Sequence, residues 1–101
     1  MSKDNEIAEV MFRVDTTKDF KGTVYAMLPH ECCDNKGNVT SYAHLGQHSG
    51  ADYLSCLSRS KPAIISEYAE LKAEMESIGY NLKIVKKRNY DKFLISYRKL
   101  N

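Results

Sequence analysis

The residues best equipped for chemistry in this 101-residue chain are its three histidines and three cysteines, and all but Cys56 fall between His30 and His48. Imidazole nitrogens and thiolates are the usual ligands of tetrahedral zinc. His30, Cys32, His44 and His48, in the runs His30-x-Cys32-Cys33 and His44-x-x-x-His48, are therefore weak candidates for a metal site. The spacing argues against it: adjacent cysteines are not the separated pair of a zinc knuckle, and a strand His44 and a loop His48 need not face each other. The ordinary reading is a loop carrying two thiols, with surface histidines beyond it, and no cofactor is expected.

Nucleophilic catalysis would require Cys32, Cys33 or Cys56 beside His44 or His48, with Gln47 or a helix amide stabilising an oxyanion. No sequence signature surrounds the thiols, and so short a chain has little room for a deep pocket. The Gly46 to Gly50 stretch matches neither a phosphate-binding loop nor a dinucleotide fingerprint. It reads as a strand-to-helix turn in which Gln47, His48 and Ser49 bond the backbone, Ser49 capping a helix with Asp52 three residues on. Tyr42, His44, Gln47 and His48 stand as a candidate polar cluster.

Charge provides a second candidate. The formal net charge is +2, yet residues 1–50 carry five basic and seven acidic groups while 51–101 carry ten and six. Lys83, Lys86, Lys87, Arg88, Lys92 and Arg98 concentrate the excess near the C-terminus, interleaved with Tyr80, Tyr90, Phe93 and Tyr97. Basic groups on phosphates and rings on unpaired bases are the means by which single-stranded nucleic acid is held. Lysines also guard sheet edges, and aromatic residues fill cores, so the same pattern has a structural explanation. The acidic residues Glu67, Glu70, Glu74 and Glu76 make a face of opposite sign, open to a protein partner or to self-association.

These side chains must be positioned by a regular scaffold. Val10, Phe12 and Val14 alternate with Glu9, Met11 and Arg13, as in a half-buried strand. Thr23 to Leu28 and Val39 to Leu45 repeat the pattern, separated by polar turns, and complete an antiparallel meander. A short helix with Ala51, Leu54 and Leu57 inward follows, ending before Pro62. Ile64, Tyr68, Leu71, Met75 and Ile78 then recur at helical spacing, and Gly79 ends that helix in a Schellman motif with Tyr80 folded over Met75. Leu82 to Arg88 reads as a strand. Phe93, Ile95 and Tyr97 alternate as a last strand, although a helix from Tyr90 would also align Phe93 with Tyr97. The expected architecture is α+β: an antiparallel sheet of about five strands, in the order β-β-β-α-α-β-β, with two helices on one face.

Composition agrees, with 43% hydrophobic and 28% charged residues describing one globular domain over 1–101. Residues 1–6 form a polar extension, expected to be flexible, without the apolar stretch of a secretory signal. No apolar run is long enough to span a bilayer as a helix. The odd number of cysteines, two of them adjacent, suits a reducing compartment, so a cytoplasmic location is expected.

Three segments together carry a resemblance: Met11-Phe12-Arg13 with Val24 to Pro29; Ser41-Tyr42-Ala43-His44-Leu45-Gly46-Gln47-His48-Ser49, its Tyr-x-His-x-Gly-Gln-His part the most specific; and Glu67 to Leu71 with Ile78 to Leu82. They resemble a group of small bacterial proteins associated with phages and integrative or conjugative elements. The resemblance implies a cytoplasmic accessory protein and brings no activity or site residue with it. The functional expectation is a non-enzymatic interaction module that binds a protein partner. Nucleic-acid binding through the basic C-terminal segment is one alternative, and a small metal- or thiol-dependent enzyme is the other.

Overall fold

The computed structural model describes residues 7–43 and 47–100. Strand β1 (Ala8–Asp15) and strand β2 (Val24–Cys32) form an antiparallel pair in which Met11 stands opposite Met27 and Phe12 opposite Ala26. Strand β3 (Val39–Ala43) adds to β2 beyond an irregularity between Leu28 and Cys32, and β4 (Gln47–Ala51) adds to β3. Helix α1 (Tyr53–Ser58), strand β5 (Ser60–Pro62), helix α2 (Ile65–Ser77), strand β6 (Leu82–Ile84) and helix α3 (Tyr90–Leu100) follow. The sheet order is β4-β3-β2-β1-β5, and β6 also pairs with β1.

The α+β class holds, but several details differ from the expected arrangement. Residues 47–51 are a strand, not a turn into a helix. Their backbone groups pair with β3, Ser49 opposite Ser41, and the helix cap moves to Asp52. Asp52 Oδ2 accepts the Ser55 N–H at 3.3 Å and the Ser55 hydroxyl at 2.5 Å, the capping role for which a short carboxylate is suited. In α1 the buried residues are Tyr53 and Cys56, and Leu54 is exposed. β6 stops at Ile84 and runs parallel to β1, with Ala8 opposite Leu82 and Val10 opposite Ile84.

Residues 90–100 are helical. Phe93 is buried and stacks on both Tyr90 and Tyr97, at 6.0 and 6.1 Å between ring centroids. Asn89 caps the helix, its Oδ1 accepting the Lys92 N–H at 3.2 Å. Asp91 in the first turn and Arg98 and Lys99 in the last complement the helix dipole.

The helices are not gathered on one face. Val10, Phe12, Ala26, Leu28 and Tyr42 pack under α2 against Leu71 and Met75. Met11, Met27, Cys32 and Val39 point the other way and meet Tyr53 and Cys56 of α1 and Phe93 of α3. Residues 10–15 of β1 are consequently all buried. Period-two alternation separates the faces of a strand but does not say whether the second face is solvated or covered.

The end of α2 matches its sequence. Gly79 takes φ +111°, its N–H reaches Glu76 O at 3.1 Å, and the Tyr80 N–H reaches Met75 O at 3.1 Å, the two bonds of a Schellman ending. The start of the helix is less conventional. Ile64 occupies the N-cap position, which normally favours a side-chain acceptor, and only Glu67 reaches back, accepting the Ile64 N–H at 2.9 Å. Ile64 and Ile78, expected in the core stripe, are both exposed.

Two buried cores make a direct prediction. Met75→Ala beneath α2 and Met27→Ala on the opposite face each remove a fully buried side chain, and each is expected to lower the unfolding free energy by about 2–5 kcal/mol. Urea denaturation measures both; a cost below 1 kcal/mol for Met27→Ala would mean that the α1/α3 face is not a packed core.

Candidate functional site

The histidine and cysteine candidates have separate fates. His30 sits between β1 and the start of α3. Its Nε2 accepts the Asn89 backbone N–H at 2.7 Å, which in the neutral ring places the proton on Nδ1, 2.8 Å from Glu9 Oε1. Lys92 closes the network with its Nζ 3.0 Å from each Glu9 oxygen. Both imidazole nitrogens are thus engaged in fastening the start of α3 to the sheet, and neither is free to hold a metal while that fastening stands. Cys32 is buried, its thiol donating to Asp34 O at 3.0 Å and its backbone N–H donating to Ser96 Oγ at 2.9 Å. Among the described residues no group of three or more His, Cys, Asp or Glu side chains converges as a metal site.

The cysteines are all unpaired. Cys33 is the exposed one, and burial of its sulfur together with the neighbouring Asp34 carboxylate pushes its pKa up, which disfavours the reactive thiolate. Cys56 is buried, and its Sγ accepts from Arg59 Nη2 at 3.4 Å.

In the Tyr42 cluster, Tyr42 is buried and donates its hydroxyl to Glu74 Oε2 at 2.5 Å, linking β3 to α2. Gln47 and His48 belong to β4, opposite Ala43 and Tyr42 in register. His44 lies outside the described residues, with the neighbouring Leu45 and Gly46.

The basic candidates divide in the same way. The Arg88 guanidinium lies 4.3 Å from the ring centroids of both Tyr53 and Phe93, an internal cation–π contact, and its backbone N–H donates to the Tyr53 hydroxyl at 2.9 Å. Lys92 is paired with Glu9. Lys83, Lys86, Lys87 and Arg98 are exposed. Of the interleaved rings, Phe93 is buried, Tyr80 and Tyr97 are half-buried, and Tyr90 remains exposed. Tyr80 packs edge-on to Tyr42 at 6.4 Å, and burial raises its hydroxyl pKa.

Three of the surface clefts among the described residues differ in character. One of about 380 Å³ adjoins the Glu9–His30–Lys92 network and includes Ser96 and Lys99. A second, of about 800 Å³, lies beside α1 and is lined by Asp15, Tyr25, Ser41, Ser49 and Arg59. Its polar groups largely satisfy one another: Arg59 Nε is 3.8 Å from Asp15 Oδ2, Ser41 and Ser49 hydroxyls are 3.0 Å apart, and Tyr25 donates to Cys56 O at 3.4 Å.

The third, of about 810 Å³, opens at the edge of β1 between β5, β6 and the first turn of α2. It is mostly apolar. Phe12 and Tyr68, stacked 4.7 Å apart, form part of its wall, and Ile64, Ile65 and Ile84 stand around it at 64%, 70% and 43% exposure. The groove was missed in the sequence because its members come from three separated segments. The one local signal is Ile65, an apolar residue a step off the stripe of Ile64, Tyr68, Leu71 and Met75.

The Glu9 network has a pH signature. The Lys92 ammonium bonded to the Glu9 carboxylate is the main influence holding its pKa below the usual value of 4.5, against the upward push of burial; His30 adds a smaller effect in the same direction as Lys92. A carboxyl with a lowered folded pKa stabilises the fold above its unfolded value, and that stabilisation is lost as pH falls through the lower folded value. Asp15 and Asp34, lowered chiefly by hydrogen bonds from Thr17 and Asn38, act in the same acid range. Stability measured by urea unfolding is expected to fall as pH drops below about 4.5 and to fall less steeply in Glu9→Gln. Identical slopes would show that the network contributes nothing to acid sensitivity.

No protein-family model, curated protein or solved structure matches this chain.

Proposed function

We propose that the protein is a non-enzymatic interaction module, an accessory factor of a bacterial mobile element, and that it binds a protein partner through the apolar groove at the β1 edge. The observation that carries this reading is the exposure of Ile64, Ile65 and Ile84 around one groove. Clustered exposed aliphatic side chains are a feature of interaction surfaces, whereas single ones occur anywhere. The local structure does not account for them: an isoleucine at a helix N-cap gives up a side-chain hydrogen bond usually worth about 1 kcal/mol.

The alternatives draw less support from the geometry. The Cys32 and Cys56 thiols and His30 are occupied by structural contacts, the Cys33 thiol has its pKa raised, and Arg88 and Lys92 of the basic segment face ring and carboxylate partners within the chain. A salt-dependent shift of mixed-sequence DNA or RNA on native gels would favour the nucleic-acid reading instead.

A photo-crosslinking residue placed at Ile65, in cells that produce the protein, tests the proposal. A discrete adduct with a protein is expected from position 65 and none from position 78, an exposed isoleucine at the far end of α2. Absence of any adduct at 65, or equal labelling at both positions, would overturn it.

A further inference from the structure

Two carbonyls of the β1 edge at the groove are already taken. The Phe12 carbonyl accepts the Ala63 N–H at 2.9 Å, and the Val10 carbonyl accepts the Val85 N–H at 2.9 Å. A guest therefore cannot dock by adding a strand through these carbonyls, and recognition must come from side chains. The opening runs between Val10, opposite Ile84, and Arg13, opposite Pro62. Three residues of strand span roughly 10 Å between Cα atoms, so the side chains on one face of a guest helix, itself about 10–12 Å across, enter the opening while its backbone stays above it.

Charge narrows the guest further. Arg13 and Lys86 are the charged residues among those lining the groove, and no carboxylate lines it. Lys61 stands exposed on β5 next to Pro62, in register with Val14. Arg13 is 7% exposed, yet its partners are all neutral: Ser60 Oγ at 2.9 Å, Ser60 O at 2.8 Å and Leu57 O at 3.4 Å. Elsewhere Lys92 is paired with Glu9, Lys72 with Glu76 and Arg59 with Asp15. The guanidinium is spent on those acceptors on the α1 side, so the positive charge that a guest meets is that of Lys86 in the lining and Lys61 beside it.

Building on the protein-binding reading above, we infer that the groove takes a short amphipathic helix of another protein, with aliphatic residues at i, i+3 or i+4 and i+7 entering the cleft and Asp or Glu residues flanking them. The aliphatic stripe meets Ile64, Ile65 and Ile84; the carboxylates meet Lys61 and Lys86. This is the helix-in-groove mode, with affinity from burial and orientation from charge.

The test maps the adduct formed at position 65 by mass spectrometry and repeats the crosslinking with Lys61→Glu/Lys86→Glu. Lys36→Glu, an exposed change in the β2–β3 loop, serves as the control, and thermal melting verifies that each variant is folded. The expected guest segment is net negative with helical apolar spacing, and its yield falls about tenfold in the double variant and not in the control. A guest that is basic or uncharged, or a second copy of this chain, overturns this inference while leaving protein binding in place. An unchanged yield in the double variant also overturns it. No adduct at all removes both.

Discussion

Strand β1 is the constraint on which the other elements depend. Its even-numbered side chains, Val10 and Phe12, enter the core under α2, and Met11 enters the core under α1 and α3. A slip of one residue against β2 would exchange the contents of the two cores, bringing Arg13 to the face where Phe12 stacks on Tyr68. Register is therefore fixed from both faces at once. One edge of the strand is taken by β2; the other is divided, β5 running antiparallel along residues 13–15 and β6 parallel along residues 8–10. Two short strands arriving from opposite ends leave their termini apart, and the groove is the space between those termini. It is a product of topology more than of any one side chain.

That origin explains what was and was not legible in the sequence. Features set by neighbours in sequence could be read: the β1–β2 pairing, the apolar spacing of Leu71 and Met75, and the left-handed Gly79 that turns Tyr80 back. The cap of α1 was misplaced because Ser49 and Asp52 both suit an N-cap. The choice fell to Asp52 once the backbone of 47–51 paired with β3. Residues 90–100 fit either period, since Phe93 and Tyr97 share one side of a strand and one side of a helix. Packing of Phe93 against the second core selects the helix. Which face a helix covers is a property of chain reversals, not of periodicity. The opposite placement of α1 and α2, and with it the groove, lay beyond local pattern.

The candidate residues illustrate the same division. Residue types identified His30 and Arg88 as chemically able, but their surroundings assign them to construction. His30 supplies an acceptor to the first turn of α3, while Arg88 fills the space between Tyr53 and Phe93. A desolvated cation over an aromatic ring contributes roughly 1–2 kcal/mol, so Arg88 serves the second core much as an apolar residue would. Formal charge thus overstates the basic surface at the start of α3, and exposed cations remain on and after the short strands, at Lys61, Lys83, Lys86 and Lys87, and in the last turn of α3, at Arg98 and Lys99.

Helix α2 separates this basic region from the acidic one. Glu67, Glu70 and Glu74 recur at spacings of three and four on one flank, and Glu74 accepts from Tyr42 of β3, which turns that flank toward the β3 side of the sheet. Ile65 and Lys72, seven residues apart, share another flank, and Ile65 lines the groove on the β5 and β6 side. Glu67, Glu70 and Glu74 are consequently on a different side of the helix from the apolar groove, while Glu76 is neutralised by Lys72 on the groove flank. Two copies set groove to groove would bring Lys61 and Lys86 of one against the same lysines of the other, a repulsive contact wherever those charges lose solvent. A guest carrying carboxylates meets the opposite situation. Its negative charge would face Lys61 and Lys86, so the distribution of charge across α2 favours a different protein over a second copy of the same chain.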